Sequence, residues 1–219
     1  MQRPPVRGAF TLVEMIVVMA IIVILVGLVI ALAPGVRTRQ QRARALSEIM
    51  TLVAACEFYK TDAGGYPQDN PALAGGASMT NDLDPRVNFN PSSTASPSYA
   101  ASGLFLYKQL TGDDNLNGKI DGAETAKKYG VDFFKPSRFD AGFKTSGTIS
   151  YIMDPFGYSY GYSTAGLKAE QDYRVQLQTD PNAPRPSPSR GYNPTFDLWS
   201  TGGSTANTNA DQPKWVKHW

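Results

Sequence analysis

Apolar residues run almost without interruption from Phe10 to Ala33, and Glu14 is the one charged residue among them. A helix from Met15 to Ala33 would be about 28 Å long at about 1.5 Å per residue, close to the roughly 30 Å of a bilayer core. Because this stretch is apolar on all sides, it does not fit the amphipathic helix of a soluble domain. The pattern predicts a helix that spans a membrane or runs through a packed bundle of helices.

A secretory signal peptide is an alternative explanation of this segment, because Arg3 and Arg7 supply a basic start. Such a peptide has an apolar region of about 7–15 residues, followed by a small-residue cleavage site. The apolar run here is longer, and no such site follows it before Pro34-Gly35. Glu14 also needs an explanation, because an ionised carboxylate in hydrocarbon costs several kcal/mol and usually has a partner.

The pattern becomes amphipathic after Pro34-Gly35, where we expect the helix to kink or unwind. Gly64-Gly65 and Pro67 end this second helical stretch. We predict that Cys56 is buried rather than reactive, because it lies on the apolar stripe. The stripe recurs at helical spacing and consists of Leu46, Ile49, Met50, Val53 and Cys56.

The rest of the chain is predicted as loops and short elements. Residues 69–102 are rich in Asn, Pro, Ser, Ala and Gly and predict a long surface loop, and the Pro-rich residues 180–194 predict another. Ser102–Leu110 is a candidate for a short apolar helix. Four strands are predicted, which are Tyr129–Phe134, Thr148–Met153, Tyr158–Tyr162 and Thr195–Ser200. The turn at 154–157 lies between Thr148–Met153 and Tyr158–Tyr162, so we expect these two strands to form a hairpin.

The residues before the apolar helix resemble a known processing signal. The run Gly8-Ala9-Phe10-Thr11-Leu12-Val13-Glu14 is similar to the type III signal of type IV pilins and type II secretion pseudopilins. The resemblance implies that a prepilin peptidase cuts before the apolar run and that the new N-terminal Phe is N-methylated. It also implies a Glu at the fifth position of the mature chain. A cut between Ala9 and Phe10 gives this register, whereas a cut after Gly8 would place Ala9 first and Glu14 sixth.

Three further stretches resemble the major pseudopilins. Residues 57–67 are similar to their Tyr-x-x-Asp-x-Gly-x-Tyr-Pro run, residues 154–160 to their Asp-Pro-Trp-Gly-x-x-Tyr run, and residues 195–219 more loosely to their C-terminal strand and loop. This favours the secretion branch. A type IV pilin for adhesion, motility or DNA uptake is the alternative, but such a pilin would normally carry a C-terminal disulfide, and Cys56 is the single cysteine.

The resemblance implies a structural subunit of a periplasmic pseudopilus that drives protein export. In such a filament the α-ammonium group of Phe10 would pair with Glu14 of a neighbouring subunit. The expected location is the bacterial inner membrane, crossed once, with the N-terminus cytoplasmic before cleavage and the C-terminal domain periplasmic. The four arginines in residues 36–44 conflict with this orientation, because the more basic flank usually stays in the cytoplasm. The expected partners are other copies of the chain, other pseudopilins, the prepilin peptidase, the inner-membrane secretion platform and membrane lipid.

Residues 113–124 match the EF-hand loop pattern D-x-[DN]-x-[DN]-G-x5-E at every constrained position. Gly118 permits the sharp turn, and Ile120 occupies the apolar position. The alternative is a polar turn that is rich in Asp, Asn and Gly for local reasons. We expect a structural calcium site of modest affinity, and a membrane-anchored calcium-binding module is a second alternative for function. The oxygen ligands would come from Asp113, Asn115, Asn117, Lys119 (through its backbone carbonyl), Asp121 and Glu124.

A second and weaker calcium candidate lies near the C-terminus. The resemblance implies a calcium-binding last loop, and the matching positions here are Asp197, Ser200 and Asp211. The segment 202–210 lacks the acidic residues that this loop normally carries. We therefore hypothesise that the loop 113–124 has taken over the stabilising role.

Composition adds two exclusions. A net charge of +2 over 219 residues gives no reason to expect nucleic acid as a partner. One histidine, His218, and no visible nucleophile–base pair or phosphate loop argue against an enzyme.

We predict an α+β fold, in which a long N-terminal helix, transmembrane in its first half, packs on a small antiparallel sheet. The expected parts are a leader (1–9), a transmembrane or filament-core helix (10–34), its amphipathic continuation (35–64), a variable region with the EF-hand-like loop (65–147), and a sheet with the C-terminal loop (148–219).

Overall fold

The chain is α+β, with small antiparallel sheets, as the sequence predicts. A computed structural model describes residues 11–69, 79–92, 99–127, 129, 140–143, 149–185, 190–206 and 208–219, without the side chains of 29, 31–34 and 140–143. The chain divides into two compact units, Met1–Gln41 and Arg42–Trp219.

The longest element is helix α1, Leu12–Ala63, with 52 residues. At its start, the backbone N–H and the hydroxyl of Thr11 each donate to Glu14 Oε2 at 2.8 Å, and the Glu14 N–H donates to Thr11 Oγ1 at 3.3 Å. This reciprocal pair is a capping box. The helix continues through Pro34-Gly35, so the predicted unwound stretch does not form there. It ends at Gly64, which takes a φ of 76° and donates its N–H to the Lys60 carbonyl at 2.9 Å.

In the first unit, α1 exposes its apolar side chains. The large apolar side chains described between Leu12 and Ile30 are 47–76 % exposed. Within the described residues, which leave out the side chains of 29 and 31–34, no helix carries an apolar stretch long enough to cross a membrane.

The second unit contains the remaining elements, all of which are short. They are helices α2 (Met79–Asp82), α3 (Tyr99–Thr111) and α4 (Ala165–Thr179), a 3₁₀ helix (Asn209–Lys214), and strands β1 (Asp140–Phe143), β2 (Ile149–Met153), β3 (Gly161–Ser163), β4 (Asp197–Ser200) and β5 (Val216–Lys217). One antiparallel sheet pairs β1 with β2, and the other has the order β3-β4-β5. Helix α3 and strands β2 and β4 confirm predicted elements.

The predicted hairpin forms only at its turn. The N–H of Gly157 donates to the Asp154 carbonyl at 3.0 Å, and the chain then bridges β2 once, at Met153–Ser159. The returning segment continues as β3 and pairs with β4, so the prediction of a hairpin strand over Tyr158–Tyr162 is wrong beyond its first pair. Gly161 permits this departure, because a Cβ there would lie 2.3 Å from the indole ring of Trp199.

Helix α1 supplies one side of the main core of the second unit. Its buried residues are joined there by residues of α3 and the strands, and by the aromatic side chains of Tyr160, Tyr162 and Phe196. Leu46 and Met50, which were predicted on the buried stripe, are 48 % and 59 % exposed. Cys56 is buried as predicted, and burial raises the pKa of its thiol. The residues that α1 buries are Ala45, Ile49, Leu52, Ala55 and Cys56.

Several predicted loops contain elements that the patterns did not reveal. Helix α2 lies within 69–102, and α4 lies within a stretch for which no element was predicted. The predicted strand Tyr129–Phe134 lies outside the described residues except for Tyr129 itself.

Candidate functional site

The loop 113–124 is held by the end of helix α3. Gly112 ends that helix with a φ of 82°, and a Cβ there would lie 2.2 Å from the carbonyl oxygen of Thr125. The hydroxyl of Tyr107 donates to Asp113 Oδ2 at 2.7 Å, and the Asp113 N–H donates to Thr111 Oγ1 at 3.1 Å. Asp113 is fully buried, so the first residue of the loop is fixed to the core.

The first half of the loop is folded around side-chain oxygens. Asp113 accepts the N–H groups of Asn117 and Gly118 at 3.2 and 2.8 Å. Asn115 Oδ1 accepts the Asn117 N–H at 3.0 Å, and Asn117 Oδ1 accepts the Lys119 N–H at 2.8 Å. Gly118 takes a φ of 80°, which is the sharp turn that the motif requires.

The second half of the loop turns its two carboxylates toward the first half. The side-chain amides of Asn115 and Asn117 donate to the two oxygens of Asp121 at 3.0 and 2.8 Å. Glu124 Oε1 accepts the N–H groups of Asp114 and Asn115 at 2.9 and 2.8 Å, and its Oε2 accepts the Asp121 N–H at 3.2 Å. The structure therefore brings the five predicted side-chain ligands into one hydrogen-bonded network.

The loop is also tied to the sheet. Leu116 has a φ of 63° and packs against the main core, and its carbonyl accepts the Ile149 N–H at 2.7 Å. Because Ile149 is the first residue of β2, the loop sets the position where this strand begins. Ile120, the predicted apolar anchor, is half-buried.

The donor atoms of the loop suit a hard cation. All the predicted side-chain ligands are oxygens, which calcium prefers over nitrogen and sulfur. As arranged, however, the carboxylates are satisfied by N–H donors. Among the described residues, no group of three or more His, Cys, Asp or Glu side chains is placed to hold a metal ion. To bind here, a cation would have to displace the side-chain NH₂ groups of Asn115 and Asn117 from Asp121. The side-chain oxygens of the two asparagines would then have to turn toward the cation.

The three residues of the weaker calcium candidate engage separate partners. Ser200 donates its hydroxyl to Asp154 Oδ2 at 2.5 Å. Asp211 pairs with the ammonium group of Lys214 at 2.5 Å. Asp197 is fully buried and binds the backbone of a neighbouring loop.

That neighbouring loop, residues 190–194, is a polar feature that the sequence patterns did not reveal. Its three successive N–H groups all donate to buried carboxylates. Gly191 donates to Asp84 at 3.2 Å, and Tyr192 and Asn193 donate to the two oxygens of Asp197 at 2.8 and 3.0 Å. Gly191 has a φ of 65°, and the only sequence signal was the Gly in a Pro-rich stretch.

Burial sets the protonation of Asp197. It raises the pKa of this carboxyl to about 6, although the N–H donors from Tyr192 and Asn193 lower it. Burial likewise raises the pKa of Asp154, next to Ser200. The folded state therefore favours protonated Asp197 at a pH where the unfolded chain has lost that proton.

The predicted assembly residues lie at the start of the chain. Gly8, Ala9 and Phe10 lie outside the described residues. Glu14 is exposed and bonds Thr11, and no cationic side chain in the described part of the chain pairs with it.

Substituting Asp197→Asn tests the buried carboxyl. We expect a loss of roughly 1–3 kcal/mol of unfolding free energy near pH 4, because the new amide NH₂ group faces N–H donors. Wild-type stability should then fall as the pH rises from about 4 to about 6, because the unfolded chain ionises first. The deficit of the variant should therefore shrink toward pH 7. Urea denaturation of the full chain in detergent, followed by tryptophan fluorescence, measures both chains. A deficit that grows with pH would show that the N–H donors outweigh burial.

No protein-family model matches this chain, and neither a curated protein nor a solved structure is detectably similar to it. Evidence on function therefore comes from the residues themselves. Three features stand out, namely the exposed apolar helix behind Glu14, the loop 113–124, and the carboxylate-bound loop 190–194.

Proposed function

We propose that this chain is a structural subunit of a pseudopilus-type filament that drives protein export by type II secretion. The observation that carries the proposal is the apolar surface of α1 in the first unit, directly behind a sequence that resembles a prepilin signal. In this proposal α1 anchors the subunit in the inner membrane before assembly, and it lies among the helices of other subunits afterwards.

The exposed apolar residues of α1 require cover. Between Leu12 and Ile30 they follow one another with few breaks, so they occupy every side of the helix. Exposed apolar patches of this extent mark an interaction with a membrane or with other protein chains. Lipid tails and neighbouring copies of the same helix can both cover these side chains. A filament subunit would be covered by lipid before assembly and by neighbouring helices afterwards.

Glu14 supplies the specific contact of the proposed filament. Its carboxylate caps its own helix through Thr11. A cut before Phe10 would create an α-ammonium group four residues before Glu14 in the sequence, and the same pair of groups on two subunits can then meet head to tail. Heterologous contacts of this kind build open helical filaments. The ion pair would offset the cost of placing both charges in an apolar setting.

The C-terminal end favours the secretion branch over a type IV pilin. Strand β5 pairs with β4, and the indoles of Trp199 and Trp215 stack at 5.8 Å between ring centroids. The C-terminal segment is therefore held by strand pairing and aromatic packing. The single cysteine, Cys56, is buried in the core and is not available for a C-terminal disulfide.

Calcium binding by the loop 113–124 is the second part of the proposal. The loop is folded around its own side-chain oxygens, and a cation that displaces the Asn115 and Asn117 amides from Asp121 would lie between the end of α3 and the start of β2. A cation there would join two elements of the second unit. Its role would be to stabilise the subunit, in a compartment where calcium is abundant.

The variant Glu14→Gln separates the two roles of this residue. Glutamine keeps the capping box but removes the charge. We expect a drop of at least about tenfold in cross-linked multimers recovered from cells that assemble the filament, with equal chain in the membrane fraction. Asp62→Asn is the matched control, because Asp62 is an exposed acid on the same helix. Normal multimers from Glu14→Gln would contradict the proposed ion pair, and their loss in Asp62→Asn would show a nonspecific effect of charge.

The double variant Asp113→Asn/Glu124→Gln tests the calcium loop. In the wild-type chain, calcium at about 100-fold over its Kd should add about 2.7 kcal/mol of stability and raise Tm by roughly 5–10 °C. The double variant should lose this shift, while it still unfolds cooperatively in chelator. Differential scanning calorimetry measures both chains.

The control for calcium is Asp211→Asn, which removes a half-buried acid of the weaker candidate that pairs with Lys214. We expect it to keep the full shift in Tm. A shift that persists in the Asp113→Asn/Glu124→Gln chain would contradict the calcium loop. A shift lost only in Asp211→Asn would assign calcium to the C-terminal segment instead.

A further inference from the structure

The four arginines that follow the apolar helix fall into two pairs with different surroundings. Arg42 donates to the carbonyl of Lys214 at 2.7 Å, and Arg44 pairs with the buried Glu48 at 2.7 Å. Arg37 and Arg39 are exposed, and neither has a partner in the described part of the chain. Two of the four guanidinium groups are thus engaged by the folded domain, and two remain available.

The position of the available pair along the helix indicates what it meets. Arg37 lies 23 residues after Glu14, which is about 35 Å along a helix, and Arg39 lies about 38 Å along. The hydrocarbon core of a bilayer is about 30 Å thick, and headgroups extend it to about 40–45 Å. If Glu14 lies at one interface, both arginines reach the headgroup layer of the opposite leaflet.

The chemistry of that layer suits a guanidinium group. Arginine binds phosphate oxygens through two parallel N–H bonds, which a lysine ammonium cannot do. Two residues apart on a helix means about 200° of rotation, so the two side chains leave opposite sides of α1. They can therefore engage separate lipids, one on each side of the helix.

We propose that Arg37 and Arg39 bind the phosphate groups of anionic lipids at the leaflet where α1 leaves the bilayer. This inference rests on the membrane anchor in the proposed function, but not on filament assembly. Lipid binding would also explain why the segment 36–44 is basic, although the positive-inside rule would place such a segment in the cytoplasm. The arginines hold the helix at a fixed depth through lipid contacts before the subunit enters the filament.

The test uses the full processed chain in detergent micelles and measures its affinity for fluorescent phosphatidylglycerol, with fluorescent phosphatidylcholine as the neutral reference. We expect the wild-type chain to prefer phosphatidylglycerol. The variant Arg37→Gln/Arg39→Gln should lose that preference by roughly 25-fold, because each basic side chain near a membrane surface contributes about a factor of five. Both side chains are exposed, so the variant should fold normally.

The matched control is Arg174→Gln/Arg185→Gln. It removes the same charge from two exposed arginines that pair with Glu170 in the second unit. We expect this control to bind phosphatidylglycerol like the wild type. A preference that survives in Arg37→Gln/Arg39→Gln, or that falls equally in the control, would overturn the proposal. A chain that keeps the lipid preference but never forms multimers would contradict the filament instead, so the two failures are distinguishable.

Discussion

The burial of one face of α1 in the core of the second unit, to which residues 42–63 of the helix belong, is the contact on which the rest of that unit depends. From Ala45 to Cys56 the helix gives small and aliphatic side chains to the core, and α3 and the strands pack against them. Glu48 anchors the same face, because its carboxylate accepts the Tyr160 hydroxyl at 2.6 Å in the buried interior. In the first unit, the large apolar side chains that the structure describes between Leu12 and Ile30 are all exposed. This difference between its two ends is what calls for a partner.

The sequence could predict whatever depends on local pattern. Periodicity and turn chemistry predicted the helix over 102–110, the strand over 195–200 and the turn at 154–157, and the structure contains a helix over Tyr99–Thr111, a strand over Asp197–Ser200 and that turn. The loop 113–124, with its side-chain oxygens, could also be predicted from the sequence, because its side chains form hydrogen bonds with residues only a few positions away. The capping box at Thr11 could have been read in the same way.

Features that depend on distant residues could not be predicted. Strand β3 leaves its hairpin for β4 because Gly161 gives room to the Trp199 ring, which lies 38 positions away. The loop 190–194 is held by Asp84, from a part of the chain that resembled a featureless loop. Helix α4 is polar, so its pattern carried no core signal. The exposure of Leu46 likewise depends on which face of α1 the rest of the fold covers.

The mature N-terminus tests the central claim most directly. Mass spectrometry of the chain from cells with and without a prepilin peptidase would identify it. We expect a chain that begins at N-methylated Phe10 when the peptidase is present and keeps residues 1–9 when it is absent. A start at Ala9 would keep the filament but shift Glu14 to the sixth position. An intact Met1 in both cells, or a cut beyond Ala33, would contradict the filament and leave the calcium loop as the main functional feature.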